Sequence, residues 1–190
     1  MLLLGCNEAV EVKTSIAHQP ELKIEDFSVD KNELDLNQLE GRWYYKNEPF
    51  NGLATAYHSN GQIAESVGFI DGKREGVAHY WFDNSQIKKQ CYYVSNKLHG
   101  TVKCWWSNGV QNLESHYVHG VRHGIQSRWY NNGQLARKTT IVNGMEEGLQ
   151  QAWLQNGKIY VNYEARNGRV FGLKKANLCY ELEDEIIQSN

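Results

Sequence analysis

The sequence predicts an all-β protein, an elongated single-layer antiparallel meander built from repeated 24-residue β-hairpins. Three observations carry this prediction: glycines recur at a constant interval, an Asn-Gly pair punctuates most intervals, and aromatic or β-branched residues fill the segments between. Gly52, Gly76, Gly100, Gly124, Gly148 and Gly172 stand 24 residues apart. A second column holds Gly61, Gly109, Gly133 and Gly157, with Ser85 in the gap. A third holds Gly72, Gly120, Gly144 and Gly168, with Asn96 in the gap. Fourteen of the 17 glycines fall in these columns, and a fixed period of this size is the signature of a stacked repeat.

Within each unit the first strand ends on an aromatic: Tyr57, Trp81, Trp105, Trp129 and Trp153. The next residue is mostly large: His58, Phe82, Trp106, Tyr130 and Leu154. Asn60, Asn84, Asn108, Asn132 and Asn156 then precede the second glycine column. Asn-Gly between two such runs predicts a hairpin turn, because both residues tolerate positive φ. The second strand follows, with Ile63, Ile87, Leu135 and Ile159 near its start and Gln111 as the exception. Asp71-Gly72, His119-Gly120, Asn143-Gly144 and Asn167-Gly168 link one hairpin to the next. Helical repeats are excluded, since an interior Asn-Gly every 24 residues would break each helix. Five full repeats span about 51–170, and a half repeat at 42–47 (Arg-Trp-Tyr-Tyr-Lys-Asn) precedes them in phase, so the repeat region covers 41–172. The Trp column is read as a stacked structural ladder, with each aromatic pair worth roughly 0.5–1.5 kcal/mol beyond burial. Residues 173–190 form a candidate cap and an acidic tail.

Composition agrees with a folded chain. The 190 residues are 41% hydrophobic and 22% charged, which excludes disorder over most of the length. There is no apolar run long enough for a membrane-spanning helix. Net charge is −2, which argues against a nucleic-acid partner.

The units resemble MORN repeats of the variant found in bacteria. The matching pattern is aromatic-aromatic-x-Asn-Gly-x-(Ile/Leu), then (Asp/Asn)-Gly. It is fullest around His123-Gly124, Trp129-Tyr130-Asn131-Asn132-Gly133-Gln134-Leu135 and Asn143-Gly144. The resemblance implies an elongated, curved sheet. Some bacterial members carry the label of antitoxin components of the YwqK type, which would imply neutralising a bound protein. It transfers architecture rather than an active site.

The first residues, Met1-Leu2-Leu3-Leu4-Gly5-Cys6, resemble the lipobox of bacterial lipoproteins, with Cys6 as the lipidated residue. They lack the charged n-region and the apolar run of about 7–15 residues that a signal peptide carries. Residues 1–6 are read as a lipobox-like remnant and 7–40 as an acidic tether, holding nine acidic and three basic side chains and no glycine. Processing of Cys6 implies membrane attachment at the cell envelope; otherwise the chain is cytoplasmic.

Catalytic and metal sites find no support in the pattern, and no cofactor is implied. His99, His116, His119 and His123 cluster, but His99 and His123 fill a repeat position that Glu75 and Glu147 also occupy. Cys91 and Cys104 flank a turn on adjacent strands, where a disulfide or two small β-residues would both fit. The expected contact patch joins Phe82, Trp106 and Tyr130 to Lys103 and Arg128, since aromatic and Arg side chains dominate binding hot spots. The function expected is a non-catalytic β-repeat scaffold binding a protein partner, in an antitoxin or immunity role. The alternative is an envelope lipoprotein binding lipid headgroups or glycan through its aromatic face.

Overall fold

The computed structural model describes residues 23–173. Four short strands come first: β1 (Ser28–Asp30), β2 (Asp35–Asn37), β3 (Arg42–Tyr45) and β4 (Glu48–Pro49). The repeats follow as β5 (Gly52–Tyr57), β6 (Ile63–Ile70), β7 (Lys73–Trp81), β8 (Ile87–Val94), β9 (Lys97–Trp105) and β10 (Gln111–Val118). Then come β11 (Val121–Arg122), β12 (Gly124–Trp129), β13 (Leu135–Val142), β14 (Met145–Trp153), β15 (Ile159–Arg166) and β16 (Arg169–Leu173). From β5 to β16 each strand pairs with the next in one antiparallel meander, with β11 a side branch on β10. The expected fold class is what the chain adopts.

The links between hairpins are tight two-residue turns with both residues at positive φ: Asp71 (51°) and Gly72 (71°), Ser95 (46°) and Asn96 (69°), Asn143 (52°) and Gly144 (83°). This is the type I′ geometry that matches strand twist. The Asn-Gly turns are different. Only the glycine position is left-handed there, as at Gly61, Gly109, Gly133 and Gly157, with Ser85 at 64° in the same place. The asparagine works through its side chain. Asn108 Oδ1 accepts from the Val110 N–H at 3.1 Å, and its Nδ2 donates to the Asn131 carbonyl of the next repeat at 2.8 Å. Asn60 and Asn84 bridge to Asp83 and Ser107 in the same way.

The column running from Gly52 and Gly76 through Gly100, Gly124 and Gly148 to Gly172 marks no turn. It lies inside strands, at positive φ throughout. Val67 faces Ala78 and Phe69 faces Arg74, so three residues around Gly76 oppose one across the ladder. The register breaks in the same way opposite Gly100 and Gly148, so at these three positions the column marks a β-bulge that bends the hairpin, whereas the pairing runs unbroken past Gly172.

The half repeat and part of the tether depart from the expectation. The turn at Lys46-Asn47 falls one residue ahead of the 24-residue phase set by Asp71-Gly72. A one-residue slip would reverse the faces of a continuing strand. β3 instead pairs with β2 and β4 in a separate three-stranded sheet, and β1 takes the free edge of β5 in parallel. Residues 23–40 are therefore part of the fold rather than a tether. Val29 and Leu34 from this segment are buried with Phe50, Val67 and Phe69. Gly68 shows what this packing demands. A Cβ there would stand 2.8 Å from the Glu75 carbonyl and would also strike the Ile24 side chain, whereas other repeats carry Tyr92, His116 or Thr140 at the same position. Residues 7–22, Cys6 with residues 1–5, and the cap from residue 174 onward lie outside the described residues.

The core is not the Trp ladder. The buried row is made of small side chains facing one another across successive strands: Ala54, Val67, Ala78, Cys91 and Val102. Ring pairs gather where the small sheet covers this row, as in Trp43–Phe69 and Phe50–Phe69. Trp81, Trp105, Trp129 and Trp153 are only half-buried, and their rings do not pair with each other among the described residues. Their spacing along the chain leaves them near strand ends, beyond the reach of the small sheet.

Candidate functional site

Cross-strand neighbours point to the same side of a sheet, so the register defines three rows on the face that carries the core. The middle row begins with the apolar residues above and continues as Ser115, Gln126, Thr139 and Gln150. A second row runs through Tyr80 and Lys89 to Cys104, then to Leu113, Arg128 and Arg137. A third pairs Phe69 with Arg74, Tyr93 with Leu98, Tyr117 with Arg122 and Ile141 with Glu146. The middle row turns polar at β10, and the outer rows bring Arg122, Arg128 and Arg137 beside it over β11–β13. The result is a groove of about 340 Å³ across β10–β14, floored by Ser115, Gln126 and Thr139 and walled by Arg122, Arg128 and Arg137.

Buried amides hold the floor. Gln126 Nε2 donates to the His116 and Gly124 carbonyls, at 3.2 and 3.3 Å. Gln150, fully buried, donates to the Thr140, Glu147 and Gly148 carbonyls. These carbonyls lie around the breaks in the ladder, where the glutamines add hydrogen bonds; the His116 carbonyl also accepts from the His123 N–H at 2.9 Å. Both Oε1 atoms are buried without a donor among the described residues.

Three guanidiniums face one carboxylate in the groove. Arg137 Nη2 lies 3.5 Å from Glu146 Oε1. The Tyr163 hydroxyl donates to the other oxygen of Glu146 at 2.6 Å. Burial, then this bond, push the Tyr163 phenol up to about 12. Arg122 and Arg128 have no ion-pair partner among the described residues. Arg128 and Arg137 stand directly opposite each other on β12 and β13. Like charges in that relation are destabilising.

The structure separates the expected contact patch. Phe82 and Trp106 share a shallow depression with Lys88, Lys89, Cys104, Trp105 and Asn112. Trp106 Nε1 donates to the Trp129 carbonyl at 3.1 Å, and the Tyr130 hydroxyl to the Trp153 carbonyl at 2.9 Å. Their polar ends are spent on the next repeat. Lys103 points to the opposite face, 3.9 Å from Glu114. Of the five residues, Arg128 alone lines the groove. Arg122 and Arg137 line it too, as do Gln126, Ser115 and Thr139, which belong to no local motif. The signal that finds them is the column Ala54, Ala78, Val102, Gln126, Gln150 with its partner Val67, Cys91, Ser115, Thr139, Tyr163.

The remaining candidates are dispersed. The His99 and His119 rings lie 5.1 Å apart, and His116 donates to the Ile125 carbonyl. No group of three metal-ligating side chains occurs among the described residues. Cys104 lies opposite Lys89, two residues before Cys91, so the two thiols are not paired across the ladder and both are free. Burial pushes both thiols up.

Residues 122–143 match the family model of the MORN repeat variant. The match runs from Arg122 to Asn143, so it takes in the last residue of β11 and all of β12 and β13, and it includes all three groove arginines. Hairpins with the same two-residue links recur from β5 to β16. No curated protein matches the chain.

Proposed function

We propose that the protein is a non-catalytic repeat scaffold that binds a protein partner in the groove across β10–β14. One observation carries this reading: the middle row of the face, apolar and buried over β5–β9, becomes polar and arginine-walled over β10–β14. Hot-spot surfaces favour arginine and tyrosine, and Arg122, Arg128, Arg137 and Tyr117 meet there. An antitoxin or immunity role is the sharpest form of the reading and rests on the resemblance of the repeats. Envelope anchoring through Cys6 is compatible with it and rests on Leu3-Leu4-Gly5-Cys6. Binding of lipid or glycan by the aromatic face has weaker support, because Trp106 and Tyr130 already serve the neighbouring repeats.

The test is crosslinking of the tagged full chain in its native cells, followed by mapping of the linked residues. Partner links concentrated on β10–β14, and lost in an Arg128→Glu/Arg137→Glu variant that still folds, support the proposal. Links spread evenly over the sheet, or kept in that variant, refute it. Mass spectrometry of the native N-terminus decides the anchor, and an unmodified Met1 ends that part.

A further inference from the structure

We infer that the groove recognises carboxylates on an acidic segment of its partner, with Arg122 and Arg128 as the receiving groups. The inference rests on the groove being the partner surface and adds the chemistry of what it takes. In the covered half, cations on this face have acidic or aromatic partners. Lys31 pairs with Glu65 at 2.7 Å, Arg74 lies 5.1 Å from the centre of the Tyr93 ring, and Lys89 lies 4.9 Å from that of Tyr80. In the groove Arg137 is held by Glu146, while Arg122 and Arg128 are left without counter-ions among the described residues. Arg128 and Arg137 stand opposite each other as a like-charge cross-strand pair, which an inserted anion would turn into a bridge.

Arginine presents five donors in a planar fork and no acceptor, and it stays charged at any working pH. Its natural complement is a carboxylate or phosphate oxygen pair. Two features favour a carboxylate. The excess positive charge is confined to two residues within about 340 Å³, whereas a nucleic-acid site spreads cations along a phosphate track. Glu146 also sits in the wall and would repel a dianion more than a monoanion. The chain as a whole is acidic, so the groove is a local reversal of sign rather than part of a basic surface.

The experiment is fluorescence anisotropy of the full chain with a labelled glutamate-rich peptide at low salt. Its companions are the same peptide with glutamine at every glutamate and a single-stranded oligonucleotide. The acidic peptide should bind and the glutamine peptide should not. Arg128→Gln and Arg122→Gln should each weaken binding about tenfold, as expected for loss of a charge-assisted fork. Lys138→Gln removes the same charge from the opposite face and should leave binding within about twofold, since exposed charges act weakly at a distance. Equal weakening by Lys138→Gln, equal binding of the glutamine peptide, or tighter binding of the oligonucleotide would overturn the inference. So would peptide binding seen only after neutralising Glu181, Glu183, Asp184 and Glu185, because the chain's own tail would then be the occupant. If crosslinks map to the groove while no acidic peptide binds, the partner reading stands and the ligand class is wrong.

Discussion

The sheet from β5 to β9 and the sheet from β10 to β14 share one backbone and differ in what their inner rows carry. In the first, Ala54, Val67, Ala78, Cys91 and Val102 are covered by Trp43, Phe50 and their neighbours. In the second, Ser115, Gln126, Thr139 and Gln150 hold the same places. Turns and bulges are therefore independent of the side chains between them. The period builds the sheet, and the row residues decide whether a stretch becomes core or surface.

The largest test of this contrast lies in the covered half. Phe69 is 1% exposed and touches the rings of both Trp43 and Phe50. Phe69→Ala should lower the unfolding free energy by about 3–5 kcal/mol in urea titration. A loss under 1 kcal/mol would mean that the small sheet does not cover the large one.

In the polar half, Gln150 ties three bulge carbonyls. Gln150→Ala should cost about 1–3 kcal/mol, because it leaves buried acceptors unpaired. No change would show that the polar row is ornament to the fold.

Alkaline pH offers a smaller effect that separates the halves. Tyr163 is raised to about 12 mainly by burial and then by its bond to Glu146. The unfolded phenol titrates near 10. The native state thus favours the protonated form, and its contribution is whole below about pH 10 and is lost as pH rises towards 12. Stability measured from pH 8 to 11 should fall at the alkaline end. Tyr163→Phe should lessen that fall, while Tyr80, also raised by burial, leaves a remainder that belongs to the covered half.

The smallest effect is expected on the opposite face. Lys103 and Glu114 meet at 3.9 Å with both side chains a third or more exposed. Lys103→Gln should change stability by less than about 1 kcal/mol. A larger loss would give that face a role the inner rows do not share.

Much of the fold was legible because its signals are local. Asp71-Gly72 and Asn143-Gly144 announce their turns, and alternation between them announces strands. The bulge is not legible, because a glycine at positive φ looks the same in a turn and within a strand; only the opposing Val67 and Phe69 distinguish them. The groove was legible in one residue, Arg128. Gln126 and Thr139 look like ordinary variation until the register sets them side by side.

By itself, the sequence determined the period, the hairpins and their order, since each depends on backbone preferences a few residues wide. Tertiary structure alone decided that residues 23–50 fold back over the first repeats and that three arginines converge beyond their edge. The first depends on contacts between residues distant in the chain, such as Trp43 with Phe69, and the second on the register of neighbouring strands; no local preference encodes which strands a segment will cover.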